Sequence, residues 1–305
     1  MSRVFVIGAS GYIGGSVAVK LIALGHGVTG LARSEGKAAQ LRAIGIDPVL
    51  GRLNDLETLA AAARRADIVV NAADADNYHS SAALLSALAG SGKRFIHTSG
   101  TSVIADRAAG EPSDLVFNED SPSEPLPERM LRVAVDRMVL EHAQRGVCTV
   151  VIRPSLIYGA GFGLNRRSLQ VPKLVELAGR KAIGVHVGRG LNVWSNVHIA
   201  DLVDLYLRAI EDAPPGSLFY AENGEASMRE IAAAISRRLG FGGATRDMPI
   251  EEALDELGVA AYTSFGSNSR VRSLKARKLL SWSPSRDSLI ADIDTGLEPE
   301  SAKLS

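Results

Sequence analysis

Three glycines near the start of the chain have the spacing of a phosphate-holding turn. Gly8, Gly11 and Gly14 occur in the run Gly-Ala-Ser-Gly-Tyr-Ile-Gly, between a predicted strand and a predicted helix. Gly8 permits a tight strand-to-helix turn, Gly11 lets the backbone approach a diphosphate, and Gly14 lets helix and strand pack closely. The helix amino terminus supplies unpaired N–H groups to the phosphates. The run predicts a dinucleotide-binding site, with further contacts from the residues between these glycines, Ser10, Tyr12 and Ile13.

The residues after the second predicted strand indicate which dinucleotide binds. A carboxylate at this place bonds the ribose 2′-hydroxyl of NAD and repels the 2′-phosphate of NADP. The chain has Arg33 and Ser34 instead. A guanidinium fork and a hydroxyl both suit a phosphate, so the sequence favours NADP. The alternative is that Arg33 stacks on adenine or faces water, which is compatible with NAD.

Further motifs resemble the extended short-chain dehydrogenases/reductases, in particular the NAD-dependent epimerase/dehydratase group. The glycine spacing is Gly-x-x-Gly-x-x-Gly, and similar motifs follow the fourth, fifth and sixth strands at residues 71–73, 98–101 and 153–159. The similarity extends over roughly residues 3–297. It implies an atypical member of the family, with additional cofactor contacts at the strand ends, at Leu53, Ala72, Ala73, Thr98, Pro154 and Ile157.

The tyrosine and lysine pair typical of that family is missing from the chain. In the family, a tyrosine transfers a proton, and a lysine four residues later lowers its pKa. None of the six tyrosines here has a lysine at that spacing. Alignment of the helix before the sixth strand puts Glu128 at the tyrosine position and Arg132 at the lysine position. Either Glu128 is a substitute acid and Arg132 a substitute cation, or the two form an i,i+4 ion pair on a solvated helix face.

Other candidate catalytic side chains follow the fifth and sixth strands. Ser99 or Thr101 is expected to orient a substrate oxygen, although strict register puts Gly100 at the family's serine position. Tyr158 is either a second candidate proton donor or a packed aromatic residue beside a glycine turn. His97, at the end of the fifth strand, is expected to satisfy a backbone group.

These candidates require a sheet that presents the ends of its strands along one edge. Short β-branched runs alternate with helical patterns through the first half of the chain, which predicts an α/β fold with a doubly wound parallel sheet of the Rossmann type. We expect a dinucleotide-binding domain over residues 1–154, joined by a strand from beyond residue 190. Residues 155–297 are expected to form mainly a smaller substrate-binding lobe, and residues 298–305 a tail. A proline-rich long loop is predicted over residues 105–127.

Composition limits the function classes. The 305 residues carry 34 basic and 34 acidic side chains, so no net field attracts nucleic acid or an anionic membrane. Cys148 is the only cysteine, which excludes an internal disulfide and a thiolate zinc site. No apolar run approaches the ~18 residues of a membrane span. We expect a cytoplasmic protein with a small-molecule substrate, without metal, as a monomer or homodimer.

The function best supported by the sequence is an NADP-dependent oxidoreductase acting on a small carbonyl-type substrate. Two alternatives remain open. One is a non-catalytic sensor or regulator that binds NADP, which the missing tyrosine and lysine favour. The other is a non-redox epimerase, isomerase or lyase on the same fold, since fold alone does not decide chemistry.

Overall fold

The structure is a computed structural model that describes residues 1–296, so the predicted tail at 298–305 lies outside the described residues. In chain order the strands are β1 (Arg3–Ile7), β2 (Gly27–Ala32), β3 (Asp47–Leu50), β4 (Ile68–Asn71), β5 (Arg94–Thr98), β6 (Cys148–Pro154), β7 (Leu156–Tyr158), β8 (Gly184–Val187), β9 (Val193–His198), β10 (Ser217–Ala221), β11 (Glu225–Ser227) and β12 (Thr245–Met248). The helices are α1 (Tyr12–Ala23), α2 (Glu35–Ala43), α3 (Leu56–Arg65), α4 (Tyr78–Leu88), α5 (Met130–Glu141), α6 (Gln170–Lys181), α7 (Ile199–Asp212), α8 (Met228–Arg238), α9 (Ile250–Leu257), α10 (Leu274–Leu280) and α11 (Leu289–Gly296).

The central sheet has seven parallel strands in the order β10-β6-β5-β4-β1-β2-β3. Its inner strands are buried along nearly their whole length, because one hydrophobic core lies on each face of the sheet. The chain reverses its direction of winding between β1 and β4, and open parallel sheets bind ligands at such a switch point. The predicted α/β, doubly wound fold is confirmed, and β10 is the predicted strand that returns to the sheet from late in the chain.

A separate hydrophobic core forms beyond the sheet, in the second half of the chain. It is built from α6, α8, α9 and α11 with two small sheets, one of β11, β9 and β7 and one of β12 and β8. Trp194 and Phe265 are among its buried aromatic residues. None of the helices within residues 1–296 is long and apolar enough to cross a membrane.

The proline-rich segment before α5 crosses from the sheet to this second core. Asp106 accepts hydrogen bonds from the backbone N–H and the side-chain amide of Asn268, at 2.8 and 2.9 Å. Gly110 donates its N–H to the carbonyl of Gly266. The segment lacks regular structure, as predicted for a long loop, but these contacts fix it against residues 266 and 268.

Candidate active site

The glycine turn has the geometry of a diphosphate cradle. Gly8 has a φ of 88°, and a Cβ added to it would lie 2.5 Å from the carbonyl oxygen of Ala72. A Cβ added to Gly14 would lie 2.5 Å from the carbonyl oxygen of Gly8. Gly11 precedes α1 without a side-chain cap, and the first turn of α1 contains no acid. The turn therefore fits a dinucleotide, because its N–H groups face no competing side-chain acceptor.

The other residues of the turn have different surroundings. Ser10 and Ile13 are half-buried, whereas Tyr12 is buried. The Tyr12 hydroxyl is 3.0 Å from the carbonyl oxygen of Tyr158 and 2.7 Å from that of Gly159, so it donates to this pair. Burial raises its pKa. The Tyr12 side chain thus ties α1 to the segment after β7, and only its backbone can face a diphosphate.

Two arginines follow the adjacent strands β2 and β3, which lie on the β1 side of the switch point. Arg33 follows β2 and Arg52 follows β3, and the N–H of Gly51 bonds to the carbonyl of Ala32 between them. Both arginines are exposed, and neither guanidinium has a partner within the described part of the chain. The Ser34 hydroxyl accepts the N–H of Lys37 as the cap of α2 and keeps its own proton free. Leu53, also after β3, packs half-buried against the sheet.

The ends of β4 and β5 present few free polar side chains. Ala72 and Ala73 are half-buried beside the glycine turn. Thr98 lies with its hydroxyl 2.6 Å from the hydroxyl of Tyr206, inside the core. Thr101 is buried, and its hydroxyl makes no hydrogen bond with residues 1–296. Among residues 1–296, the Asn71 Oδ1 at the end of β4 is likewise buried without a hydrogen-bond partner.

A buried cluster under the carboxyl end of β5 centres on Asp136. Its Oδ2 accepts hydrogen bonds from Ser99 Oγ and Arg153 Nε, both at 2.8 Å. The His97 Nε2 lies 3.7 Å from the Asp136 Oδ1, and the His97 Nδ1 lies 3.4 Å from the Asn71 amide. Burial lowers the pKa of His97 to about 4, so the imidazole is neutral at pH 7. The prediction that His97 satisfies a backbone group is therefore wrong. The Ser99 hydroxyl donates its proton to the Asp136 carboxylate, so that proton is already used inside the protein.

Arg132 is the cation that the structure holds over the end of β5. Its Nε and Nη2 donate to the two carboxylate oxygens of Asp76 at 2.9 and 2.7 Å. Its Nη1 donates to Ser102 Oγ at 3.2 Å and lies 3.6 Å from where a Cβ on Gly100 would be. A Cβ at residue 100 would thus be in ordinary van der Waals contact with the guanidinium. A bidentate pair fixes its orientation.

Glu128 lies elsewhere, on a short turn before α5. It is hydrogen-bonded to Arg107, and the predicted ion pair with Arg132 is wrong because each residue has a different partner. A hydrogen bond with its own backbone N–H, together with Arg107, holds the pKa of Glu128 below its usual range. An ionised carboxylate has no proton to give at pH 7, which argues against Glu128 as the acid.

Tyr158 is fully enclosed on β7. Its hydroxyl donates to the carbonyl of Asp287 at 2.6 Å, and its ring packs edge-on against His198. Burial raises its pKa. Of the two interpretations of Tyr158, the packed aromatic residue is the one that these contacts support. Nearby, Pro154 is buried at the end of β6, and Ile157 is half-buried.

Sequence reasoning missed Asp76 and Ser102, which fix the position of Arg132. The available signal was an acid just after the Asn-Ala-Ala run and a third hydroxyl after β5. Neither signal is specific, since loops are rich in such residues.

Comparison with known proteins identifies the family. The pattern of the NAD dependent epimerase/dehydratase family matches residues 4–219. Oxidase ucsJ of Acremonium sp is 33% identical over 99% of this chain and 98% of its own. A 4-hydroxy-2-methyl-3-oxo-4-farnesyl-3,4-dihydroquinoline-1-oxide ketoreductase of Stigmatella aurantiaca is 27% identical over 90% and 84%. A 2-alkyl-3-oxoalkanoate reductase of Stenotrophomonas maltophilia (strain K279a) is 26% identical over 78% and 76%.

A solved structure shares the fold. The dTDP-glucose 4,6-dehydratase of Bacillus anthracis, solved in complex with NAD, superposes with a TM-score of 0.76 over 96% of this chain and 94% of its own, at 17% identity. The chain thus belongs to the NAD dependent epimerase/dehydratase family and is an NAD(P)-dependent oxidoreductase or a related enzyme of the extended short-chain type.

Proposed function

We propose that the protein is an NADP-dependent oxidoreductase that interconverts a small ketone and the corresponding secondary alcohol. The observation that carries the choice of NADP is the pair of open arginines, Arg33 and Arg52, after neighbouring strands β2 and β3. No acid follows β2 before Glu35, so no carboxylate stands directly after that strand. A 2′-phosphate would offset this positive charge, whereas NAD would leave it unmatched.

The rest of the cofactor would lie along the switch point. The turn of Gly8, Gly11 and Gly14 would hold the diphosphate, with Ser10 and Ile13 beside it. Other contacts would come from Leu53, Ala72, Ala73, Pro154 and Ile157. The bound nicotinamide supplies or takes up the hydride, and the protein supplies position and electrostatics.

Arg132 and Ser102 would act on the substrate oxygen. When a ketone is reduced, its carbon gains a hydride and its oxygen gains a proton, so negative charge develops on that oxygen. The Arg132 guanidinium, which Asp76 holds in position, would stabilise this charge. Ser102 accepts a hydrogen bond from Arg132 and therefore has its own proton free to donate. Arg132 thus takes an electrostatic role in place of the missing lysine.

The names of the relatives favour reduction of a ketone. Two of the three relatives described above are named as reductases of 3-oxo compounds. The substrate class proposed here is accordingly a ketone with a second polar group two carbons away.

Cofactor choice is tested by titrating NADPH and NADH into the wild type, Arg33→Ala and Arg52→Ala. Each arginine lost should weaken NADPH binding by about 10- to 100-fold, the value of a charge-assisted hydrogen bond, and NADH binding by less than about threefold. Arg42→Ala, an exposed arginine on α2, is the matched control and should change neither affinity.

Equal losses for both cofactors would overturn the 2′-phosphate assignment. Tight NADPH binding with no oxidation of it by any 3-oxo compound would instead favour the non-catalytic NADP-binding alternative. Turnover is followed by the loss of NADPH absorbance.

A further inference from the structure

One of three neighbouring arginines has no carboxylate partner within residues 1–296. Arg107 pairs with Glu128, and Arg132 pairs with Asp76. The third arginine of this group, Arg129, makes no ion pair with any residue of the described chain. These three arginines therefore face two carboxylates, Glu128 and Asp76, and the positive charge of Arg129 is not offset by an ion pair.

The contacts of Arg129 leave part of its guanidinium unsatisfied. Its Nη2 donates to Thr263 Oγ1 at 2.8 Å, and the Thr263 hydroxyl in turn donates to the carbonyl of Val259 at 3.2 Å. Its Nε is buried without an acceptor among residues 1–296. Its Nη1 has no acceptor there and is not buried. Burial and the nearby charge of Arg132 lower the pKa of Arg129. An anion would stabilise this cation better than water does at a half-buried site.

Arg129 also lies where a substrate would extend. It comes one turn before Arg132 along the chain and reaches Thr263, in the short π-helical turn Ala261–Phe265 beyond the sheet. The neighbouring Arg107 lies over the Tyr262 ring, 5.7 Å from its centroid. A ketone held at Arg132 would therefore have its distal end between the sheet edge and the second core, near Arg129.

We propose that Arg129 binds a carboxylate of the substrate, so that the preferred substrates are 3-oxo acids. The planar guanidinium fork matches a carboxylate geometrically. This inference rests on the proposed ketone reduction and adds the charge of the substrate. The carboxylate is unchanged in that reaction, in which the ketone gains a hydride from NADPH and a proton to become a hydroxyl.

The test compares acids with their uncharged esters. Rates with NADPH are measured for 3-oxo acids of about four to ten carbons and for their methyl esters. The wild type should prefer the best acid over its ester at least about tenfold in kcat/KM, and Arg129→Leu and Arg129→Gln should lower kcat/KM for the acid by about 50-fold, mainly through KM. Both variants should leave the ester rate within about threefold, and Arg129→Lys should recover part of the loss. Arg137→Leu, an exposed arginine on α5, should change neither rate.

A binding measurement separates this inference from the proposed function. The melting temperature of the NADP-loaded protein is followed with added 3-hydroxy acids and their methyl esters. Acid stabilisation that Arg129→Gln abolishes supports the carboxylate site even if no ketone is reduced. Reduction of esters and acids at equal rates keeps the reductase and overturns the carboxylate site. Absence of both turnover and acid-specific stabilisation overturns both proposals.

Discussion

Two charged residues one turn apart on α5 have opposite surroundings. Asp136 faces inward, where it is 1% exposed and hydrogen-bonded to Ser99 and Arg153. Arg132 faces the cleft, where Asp76 orients it and part of it stays accessible. The same helix thus carries a buried cluster and a reachable cation. The comparison teaches that a polar side chain near the strand ends is functional only if its hydrogen-bonding capacity is not already used inside the protein.

The inner cluster should matter most for stability. Asp136→Ala leaves the guanidinium of Arg153 buried without its partner, so the free energy of unfolding should fall by about 3–5 kcal/mol. Urea denaturation measures the loss. Asp204→Ala removes a carboxylate of an exposed i,i+4 pair with Arg208 and should cost under about 1 kcal/mol. Equal losses from the two variants would show that the buried Asp136 contributes no more to stability than an exposed ion pair does.

The inner cluster should also set an acid limit. The folded-state pKa of His97 is about 4, below its unfolded value of about 6.5. The unfolded chain therefore binds more protons between these values, so the contribution is complete above pH 6.5 and is lost as the pH falls towards 4, by up to ~3 kcal/mol. Urea denaturation at pH 7 and pH 5 should show a smaller pH dependence for His97→Gln than for the wild type. If the free energy of unfolding changed equally with pH in the two proteins, His97 would have an ordinary pKa.

The Arg132–Asp76 pair in the cleft should matter for turnover and little for folding. Arg132→Met should lower kcat/KM for a 3-oxo ester by about 100-fold, because it removes a fixed donor from the developing oxyanion. The free energy of unfolding should change by less than about 1 kcal/mol, since Asp76 is partly solvated. Arg132→Lys should restore part of the rate. A large loss of stability with unchanged kcat/KM would place Arg132 with the structural residues.

Substitution of Tyr158 has the smallest expected effect on stability and turnover. It tests whether Tyr158 is the proton donor that a tyrosine provides elsewhere in the family. Tyr158→Phe loses one hydrogen bond, to the carbonyl of Asp287, and should destabilise the protein by about 1 kcal/mol. Turnover should stay within about twofold. A tenfold fall in kcat at unchanged stability would identify Tyr158 as a proton donor after all.

Much of the fold could be predicted because local patterns specify it. Local sequence patterns predict strands over residues 3–7, 68–71 and 94–98 and a helix over 56–65, and β1, β4, β5 and α3 have these bounds. The helix before β6 is shorter than its predicted span of 128–145, because short 3-10 turns stand at both ends, Pro127–Arg129 and His142–Arg145. Strands β7, β11 and β12 escaped prediction, since their pairing depends on distant segments rather than on their own composition.

The candidate site divides in the same way. The glycine turn, the fold, the cation at residue 132 and the arginine after β2 could be read from residue types alone, because each depends on a fixed position along one element. Folding, in contrast, engages Ser99, Glu128 and Tyr158 elsewhere, lets Asp76 orient Arg132, and leaves Arg129 without a carboxylate partner among residues 1–296. These outcomes depend on partners between 21 and 134 residues away, and no local pattern records which side chain fills a neighbour's hydrogen bonds.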